Sequence, residues 1–565
     1  IADPRNNTNY LEWCGCGALE SITDPLNGQT RFFYNNQGLL TNVVFPDYSA
    51  ITNFFDSVGR VVVSEDDGGR ELMLGYNNQG LVTNISNSFG RVQQAIYDSL
   101  NRPITITDAN GVSMTNQFDL LNRLTSRTWQ DNFSESFGYS AQGLIAYTNR
   151  DGKWTLFSRD NAGRLAGVTN ANGEISAFQY NALDELSDLY DGRTNHTVWH
   201  YNQYGWLTNK VDALNREIVR YTRDPNGQVT NRLTPQFGNT AYAFDPAGNL
   251  TNITYSGSSA PSVSLSYDAL NRLIGMADGA GSHTFNYTAA SQLQTELGPW
   301  TNDGVTNSYA QQLRTALALA QPSGGAWSQS YGYDSAWRLT SLASPAGSFG
   351  YGYNSSASTL VRTLALPNGA WETNHFDSLA RMDFTALVDH WGHILDGYGY
   401  IQDPLGLRTN ITRYLGMSTN KVAVGYDAIG QITSWTASEW SGTPRLNEQL
   451  AWAYDKSDNL QFRTNGALVQ TFIGDPANEL TNVTRTGALT ISGATPTPAS
   501  VTVNGQTALT YGDLTFAATN FIVTNGLNTY TTIAHNTYGT NATNVVSATL
   551  PSSVTLQWDL NGNLT

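Results

Sequence analysis

The sequence predicts an all-β protein: a spiral, or solenoid, of stacked antiparallel β-hairpins (a repeat shell or barrel) with a small Ig-like β-sandwich inserted near the end. Three observations predict it. A five-residue motif, aromatic–Asp/Asn–x–x–Gly/Asn, recurs along the chain as in "YDALNR" at 267–272, "YDSLNR" at 97–102 and "FDSVGR" at 55–60. The stretches between copies, such as "RLTSRTW" and "RVVVS", are rich in β-branched and aromatic residues with partial alternation, the mark of strands. Helical patterning is nearly absent; "SYAQQLRTALALAQ" (308–321) is the one stretch with some, and Tyr309 keeps it in the strand register.

The period is the strongest of the three. Aligned on its last position, the motif falls at 38, 59, 80, 101, 122, 143, 163, 184 and 205, a spacing of 21 residues broken once by 20. Further copies follow at 227, 248, 271 and 291, then more loosely at 313, 337, 357, 380, 406, 430, 458 and 478, and once more at 562. The first position is aromatic in 18 of these 22 copies, the exceptions being Arg159, Arg223, Gln402 and Gly474. The last is Gly in 11, Asn in four and Asp in two, the residues that best tolerate positive φ, so the motif reads as a tight turn with a left-handed residue at its end. An Asp or Asn three residues earlier can bind the turn's own backbone. Gly38, Gly59, Gly80, Asn101, Asn122, Gly143, Gly163, Gly205, Gly227, Gly248 and Asn271 are the expected structural turn positions.

A second turn signal sits midway between copies, as in "DPLNG" (24–28), "TDANG" (107–111) and "TNANG" (169–173). Each unit is then about two strands of 6 to 7 residues joined by two turns, within ordinary strand lengths. A lone hairpin is not stable in water, whereas hairpins stacked side by side form a continuous twisted sheet with aromatic ladders. A β-propeller needs longer units, and a leucine-rich array needs a Leu pattern that is missing here.

The organisation expected is a tail of a preceding unit at 1–16, the repeat array at 17–486, the insertion at 487–551 and the start of a further repeat at 552–565. The insertion loses the motif and reads as short alternating strands with an "NG" turn, the pattern of an Ig-like sandwich; a spacer role is favoured for it. Because the chain opens on "IADPRNNTNYLEW" and stops at "WDLNGNLT", it is expected to be a piece of a larger polypeptide, or to pack its ends on neighbouring copies.

The motif with its ~21-residue period resembles the YD repeat of the RHS/YD-repeat family, on "YDSLNRP", "FDLLNRL", "YDALNRL", "YDSAWRL", "YDAIGQI" and "WDLNGNL". The resemblance covers about 17–486 and resumes at 554–565. Members include bacterial polymorphic-toxin shells, cocoon-forming subunits of insecticidal toxin complexes, and teneurins. It implies a β-spiral, often a hollow shell, that encloses a toxin or presents an adhesive surface.

Chemistry is sparse. Charged residues make up 13% of the chain and the formal net charge is −16, which argues against nucleic acid and anionic membrane surfaces as partners. No apolar run is long enough to span a membrane within this segment. Shell relatives carry a self-cleaving segment near a "DPxGL"-like motif; "QDPLGLR" (402–408) has Asp403 and Gly406, yet it sits in the turn register and reads as a turn. His390 and His393 in "HWGH" lack a third ligand and read as loop histidines. Carboxylates spaced by 21 residues lack the dense ligand loop calcium needs. Cys14 and Cys16 read as structural or incidental, since cysteines two apart rarely meet disulfide geometry. Aromatics outside the register (Trp154, Trp199, Trp300 and Trp371) are the candidates for sugar-stacking platforms. Asn-x-Ser/Thr sequons such as "NIT" at 252–254 follow from Thr/Asn-rich strands.

The expected function is therefore non-enzymatic, with no catalytic, cofactor or metal residues: a structural segment of a large secreted or cell-surface protein that encloses or displays another segment. The alternative is an extracellular adhesin or glycan-binding stalk. The partners expected are an encapsulated polypeptide or neighbouring copies, with a surface receptor or glycan as the further possibility.

Overall fold

The computed structural model describes residues 1–256, 259–416, 418–536, 538–560 and 562–565, and among these there is no helix. Among the described residues forty-five strands belong to one sheet, and strands that follow one another in sequence pair antiparallel, as Val61–Asp66 with Glu71–Tyr76 and that strand with Val82–Asn87. This is a β-spiral of stacked hairpins. The stretch at 308–321 is two strands, Gly304–Ala310 and Leu313–Leu319, joined through Gln311 and Gln312.

The chain divides into two compact units. One comprises Ile1–Asn116, Tyr221–Leu233 and Phe237–Thr373; the other comprises Gln117–Arg220, Thr234–Gln236 and Asn374–Thr565. Most strand residues are half-buried on both faces, as in Val61–Asp66 and Leu124–Trp129, so no deep core carries the array. The second unit holds a local apolar cluster of Val422, Val424 and Ala437 with Ile411, Tyr426 and Trp435 packed on it.

Within the second unit, Ala488–Leu550 leaves the long sheet. Ala488–Ala494, Thr515–Ile522 and Leu509–Thr510 make a three-stranded sheet; Gln506–Thr507, Ala499–Val503, Gly526–Asn536 and Asn541–Leu550 make a four-stranded one. Val501 and Val503 from one sheet and Phe516, Ala518 and Phe521 from the other form a shared core with Ala508 and Tyr530. Ser553–Thr555 then pairs back onto Leu480–Thr486 of the long sheet.

Residues 1–16 are hairpin too. Asn6, at φ 66°, closes a turn on Asp3, and Tyr10–Trp13 pairs with Leu19–Thr23. Trp13-Cys14-Gly15-Cys16-Gly17 is itself a copy of the motif, with Gly17 at φ 85°, 21 residues before Gly38.

Candidate functional site

The motif turn is built the same way nearly everywhere. In 55–60 the Asp56 carbonyl accepts the Gly59 N–H at 3.1 Å, and the Asp56 N–H reaches the Arg60 carbonyl at 2.9 Å. This is a tight turn closed by a left-handed residue, with a register shift next to the aromatic at Phe54/Phe55. Asp56 Oδ1 accepts the N–H groups of Val58 and Arg60 at 3.0 and 2.9 Å. Asp56 Oδ2 accepts Arg60 Nε at 2.7 Å. The midway turns use the same device: Asp108 Oδ1 accepts from Asn110 and Val112 at 2.8 and 2.9 Å, with Gly111 at φ 83°.

The residues named from the sequence all have positive φ: Gly38 76°, Gly59 84°, Gly80 82°, Asn101 63°, Asn122 62°, Gly143 126°, Gly163 84°, Gly205 75°, Gly227 85°, Gly248 87° and Asn271 60°. Gly143 stands apart because Ser140 pairs directly with it, making a tighter turn through Ala141 and Gln142. Among the looser copies, positive φ passes from Leu313 to Gln311 and Gln312 (50° and 67°). At Ala357 the turn is longer, Asn354 donating to the Leu360 carbonyl at 2.9 Å.

Two further parts of the motif join one repeat to the next. The Arg after the turn crosses to the following hairpin: Arg60 Nη1 donates to the Asn77 carbonyl at 3.1 Å, and its guanidinium lies 4.6 Å from the Tyr76 ring centroid. Arg123, Arg164, Arg272 and Arg338 lie over Tyr139, Tyr180, Tyr287 and Tyr353 at 4.5, 4.8, 4.6 and 4.4 Å. The Tyr hydroxyl reaches back the other way, Tyr76 to the Val61 carbonyl at 2.7 Å and Tyr180 to that of Leu165 at 2.9 Å. Carboxylate, guanidinium and phenol thus form a ladder along the array.

That ladder explains two of the non-aromatic first positions. Arg159 donates to the Leu144 carbonyl and Gln402 to that of Met382, at 3.2 and 2.6 Å, in place of a Tyr hydroxyl. The Trp558 indole N–H does the same to Leu480 at 2.7 Å. In these copies another long side chain with a donor at its tip takes the place of Tyr, whereas Phe55, Phe118, Phe244 and Phe376 hold the position without a donor. Composition points to aromatics there; that Arg159 and Gln402 can supply the bond of a Tyr hydroxyl is what sequence reasoning passed over.

Cys14 and Cys16 are joined as a disulfide, contrary to the expectation from spacing. The motif turn folds the chain so that their Cα atoms lie 5.2 Å apart, within bridging range. Cys14 occupies the Asp slot, and its Sγ lies 3.2 and 3.4 Å from the N–H groups of Cys16 and Ala18.

Asp403 is a turn residue, its Oδ1 accepting from Leu405 and Leu407 at 2.9 Å each, with Gly406 at φ 88°. "HWGH" is a midway turn: Asp389 accepts the N–H groups of Trp391 and His393, and His393 Nδ1 lies 3.1 Å from Asp389 Oδ2, where Arg stands elsewhere. Among the described residues no cluster of three or more His, Cys, Asp or Glu could hold a metal ion. Of the out-of-register tryptophans, Trp300 is 62% exposed, Trp154 42%, Trp199 and Trp371 are half-buried, and Lys210 Nζ lies 5.2 Å from the Trp199 ring centroid.

Repeat, turn and ladder define a YD-repeat β-spiral. The model of the teneurin YD-shell matches residues 95–297. The crystal structure of TcdB2-TccC3 aligns with 96% of this chain at TM-score 0.60 and 11% identity, over 37% of its own chain. A Photorhabdus luminescens Tc holotoxin pore carrying a TccC3 mutation aligns with 95% at TM-score 0.52 and 12% identity, over 34% of its own chain. The chain thus spans about a third of the length of these structures. No curated protein matches the sequence. Residues 95–297 thus match the teneurin YD-shell model, and the chain shares the fold of these Tc toxin structures.

Proposed function

We propose that the chain is a structural wall segment of a large secreted or cell-surface RHS/YD-repeat protein that encloses or displays another polypeptide, a toxin segment among the candidates. The observation that carries the reading is the ladder: the motif's carboxylate, guanidinium and phenol groups are spent on joining hairpin to hairpin. The likeness to Tc toxin structures supports it at the level of fold. Within this reading the repeat array of 17–486 is the wall, the two-sheet segment at 487–551 is an Ig-like spacer, and 552–565 resumes the array.

Limited proteolysis of the full-length gene product tests enclosure. The reading expects the enclosed segment to resist protease while the array is folded and to be digested once the array is unfolded. Equal digestion in both states would sink it.

The adhesin alternative has one observation in its favour. A cavity of about 330 Å³ in the second unit is lined by Tyr398, Tyr400, Arg408 and Trp435, with the Arg408 guanidinium 3.8 Å from the Tyr400 ring centroid. Binding on a glycan array that disappears in Tyr400→Ala and Trp435→Ala would favour it.

A further inference from the structure

The cavity of about 330 Å³ in the second unit lies on one face of five neighbouring strands, Ile394–Gln402, Arg408–Leu415, Ser418–Tyr426, Ile432–Glu439 and Pro444–Tyr454. Tyr400, Ile411 and Val422 stand directly opposite one another across the first three, so they share that face. Ile411 and Val422 make an apolar floor, with Tyr400 and Trp435 on the strands to either side of it.

Two polar side chains of this cavity stand out. Asn420 lines it and is 8% exposed, yet among the described residues its carboxamide makes no hydrogen bond. Burying an amide without a partner is unfavourable, so a native one calls for an explanation. Arg408 is the other. Elsewhere the motif puts Arg just after the left-handed residue, as Arg60 and Arg164, and opens the next strand on an apolar residue, as Val61 and Leu165. After Gly406 the order is reversed: Leu407 takes the Arg slot and Arg408 opens the strand. The Arg408 guanidinium lies on Tyr400, 3.8 Å from the ring centroid, and makes no ion pair among the described residues. The other guanidinium groups of the cavity are engaged, Arg413 by Asp396 at 3.1 Å, and Arg445 by Glu439, Glu448 and Asp513.

We infer that this cavity binds a sugar bearing a carboxylate, of the uronic or sialic acid class. The planar Arg408 fork, held flat on Tyr400, presents paired N–H donors that match a carboxylate. Asn420 offers donor and acceptor together, the complement of a ring hydroxyl or an acetamido group. Trp435 and the apolar floor cover the C–H face of a sugar ring. The volume is at the small end of ligand pockets, which run from about 300 to 1,000 Å³, and suits a single sugar residue. An extended peptide would seek the unpaired backbone groups of a strand edge, whereas this site lies on a sheet face whose strands are paired on both sides. The inference deepens the adhesin alternative by naming the class of its ligand, and it rests on that reading.

The test is titration calorimetry of the chain with glucuronic acid, N-acetylneuraminic acid, their methyl esters, N-acetylglucosamine and a blocked acidic tripeptide. One of the two acids should bind, which separates the uronic from the sialic class, and its methyl ester should bind about tenfold or more weakly. Arg408→Gln should weaken binding of the acid by a similar factor and leave the melting temperature unchanged. Asn420→Val should weaken binding without lowering the melting temperature, because an amide with no partner contributes nothing to the fold. An ester that binds as well as its acid, N-acetylglucosamine binding as tightly as either acid, or binding untouched in both variants would overturn the proposal and leave the adhesin alternative standing. Preference for the tripeptide, or a melting temperature lowered by Asn420→Val, would overturn it too, by giving the cavity to a polypeptide or the amide to the fold. Binding of no sugar at all would sink the proposal and the adhesin alternative together.

Discussion

Arg159 stands where the motif places an aromatic, and its Nε and Nη2 lie 3.3 and 3.2 Å from the Leu144 carbonyl oxygen, the acceptor a Tyr would use from the same position. The distance in sequence is the same as in Tyr76 to Val61, 15 residues. An apparent break in the repeat is therefore a conserved bond made by a different donor.

The first prediction follows from that bond. Arg159→Tyr should be close to neutral, because a hydroxyl can reach the same acceptor. Arg159→Leu should lower stability by about 1 kcal/mol, the ordinary net worth of one hydrogen bond. Chemical denaturation of both variants checks it; equal stability of the two would show that the donor contributes nothing.

The motif turn, whose geometry rests on a few residue types, was the legible part of the fold. Only Gly, Asn and Asp take positive φ cheaply, so a column such as Gly59, Gly80, Asn101 and Asn122 announces itself. The copy at Trp13–Gly17 was missed because Cys14 is not a turn-forming acceptor by type, although its Sγ lies where an Asp oxygen would. Where a later stretch of the array meets an earlier one was not legible at all. A period of 21 residues says how hairpins follow one another and nothing of where the array returns, which contacts such as Arg216–Glu479 fix in three dimensions. Arg60 and its equivalents were visible as letters, but their bonds run to the next repeat, beyond any reading of a single turn.

A second prediction separates backbone strain from crowding at Gly59. With φ at 84° and only ordinary contact to Leu39 for an added Cβ, a substitution there meets strain alone. Gly59→Asn should be nearly neutral, as Asn101, Asn122 and Asn271 are found in that conformation. Gly59→Val should cost about 1–3 kcal/mol, since a β-branched residue resists positive φ. The order of the two in thermal denaturation is the readout; Val as stable as Asn would refute the turn geometry.

Acid provides a third. The backbone N–H groups of Arg60, Arg102 and Arg123, then their guanidinium groups, hold the carboxyls of Asp56, Asp98 and Asp119 below the ordinary value of 3.8. Lowered folded values mean that the unfolded chain binds more protons as pH falls, so the turns' contribution is complete above about pH 4 and is lost below it. The melting temperature should be flat from neutrality to about pH 5 and fall steeply under pH 4. Replacing the three by Asn keeps the Oδ1 acceptor, as Asn77 shows by accepting from Gln79 and Leu81 at 3.0 and 2.9 Å, and removes the titration. The triple variant should show a shallower acid limb; an unchanged limb would mean that these carboxyls do not set it.

The last prediction concerns the tie between the inserted sheets and the array in the second unit. Arg445, 3% exposed, donates to Glu439 at 2.6 Å, Glu448 at 2.8 Å, and Asp513 and Thr515 of the insertion at 2.9 and 3.0 Å. The Leu446 N–H donates to the Tyr511 hydroxyl at 2.7 Å beside it. Despite burial, these carboxylates raise the Arg445 pKa and keep the guanidinium charged. Arg445→Met leaves three carboxylates without their cation, two of them well shielded, and should cost about 3–5 kcal/mol. Adding Asp513→Asn to it removes one orphaned charge and should recover part of the loss, whereas Asp513→Asn alone should destabilise. A double-mutant cycle read by urea denaturation of the second unit's transition, with protease nicking inside 488–550 as a second readout, checks both. Additive effects of the two substitutions would mean that Arg445 and Asp513 do not act as a pair, and that the insertion is held to the array by Tyr511 and its neighbours instead.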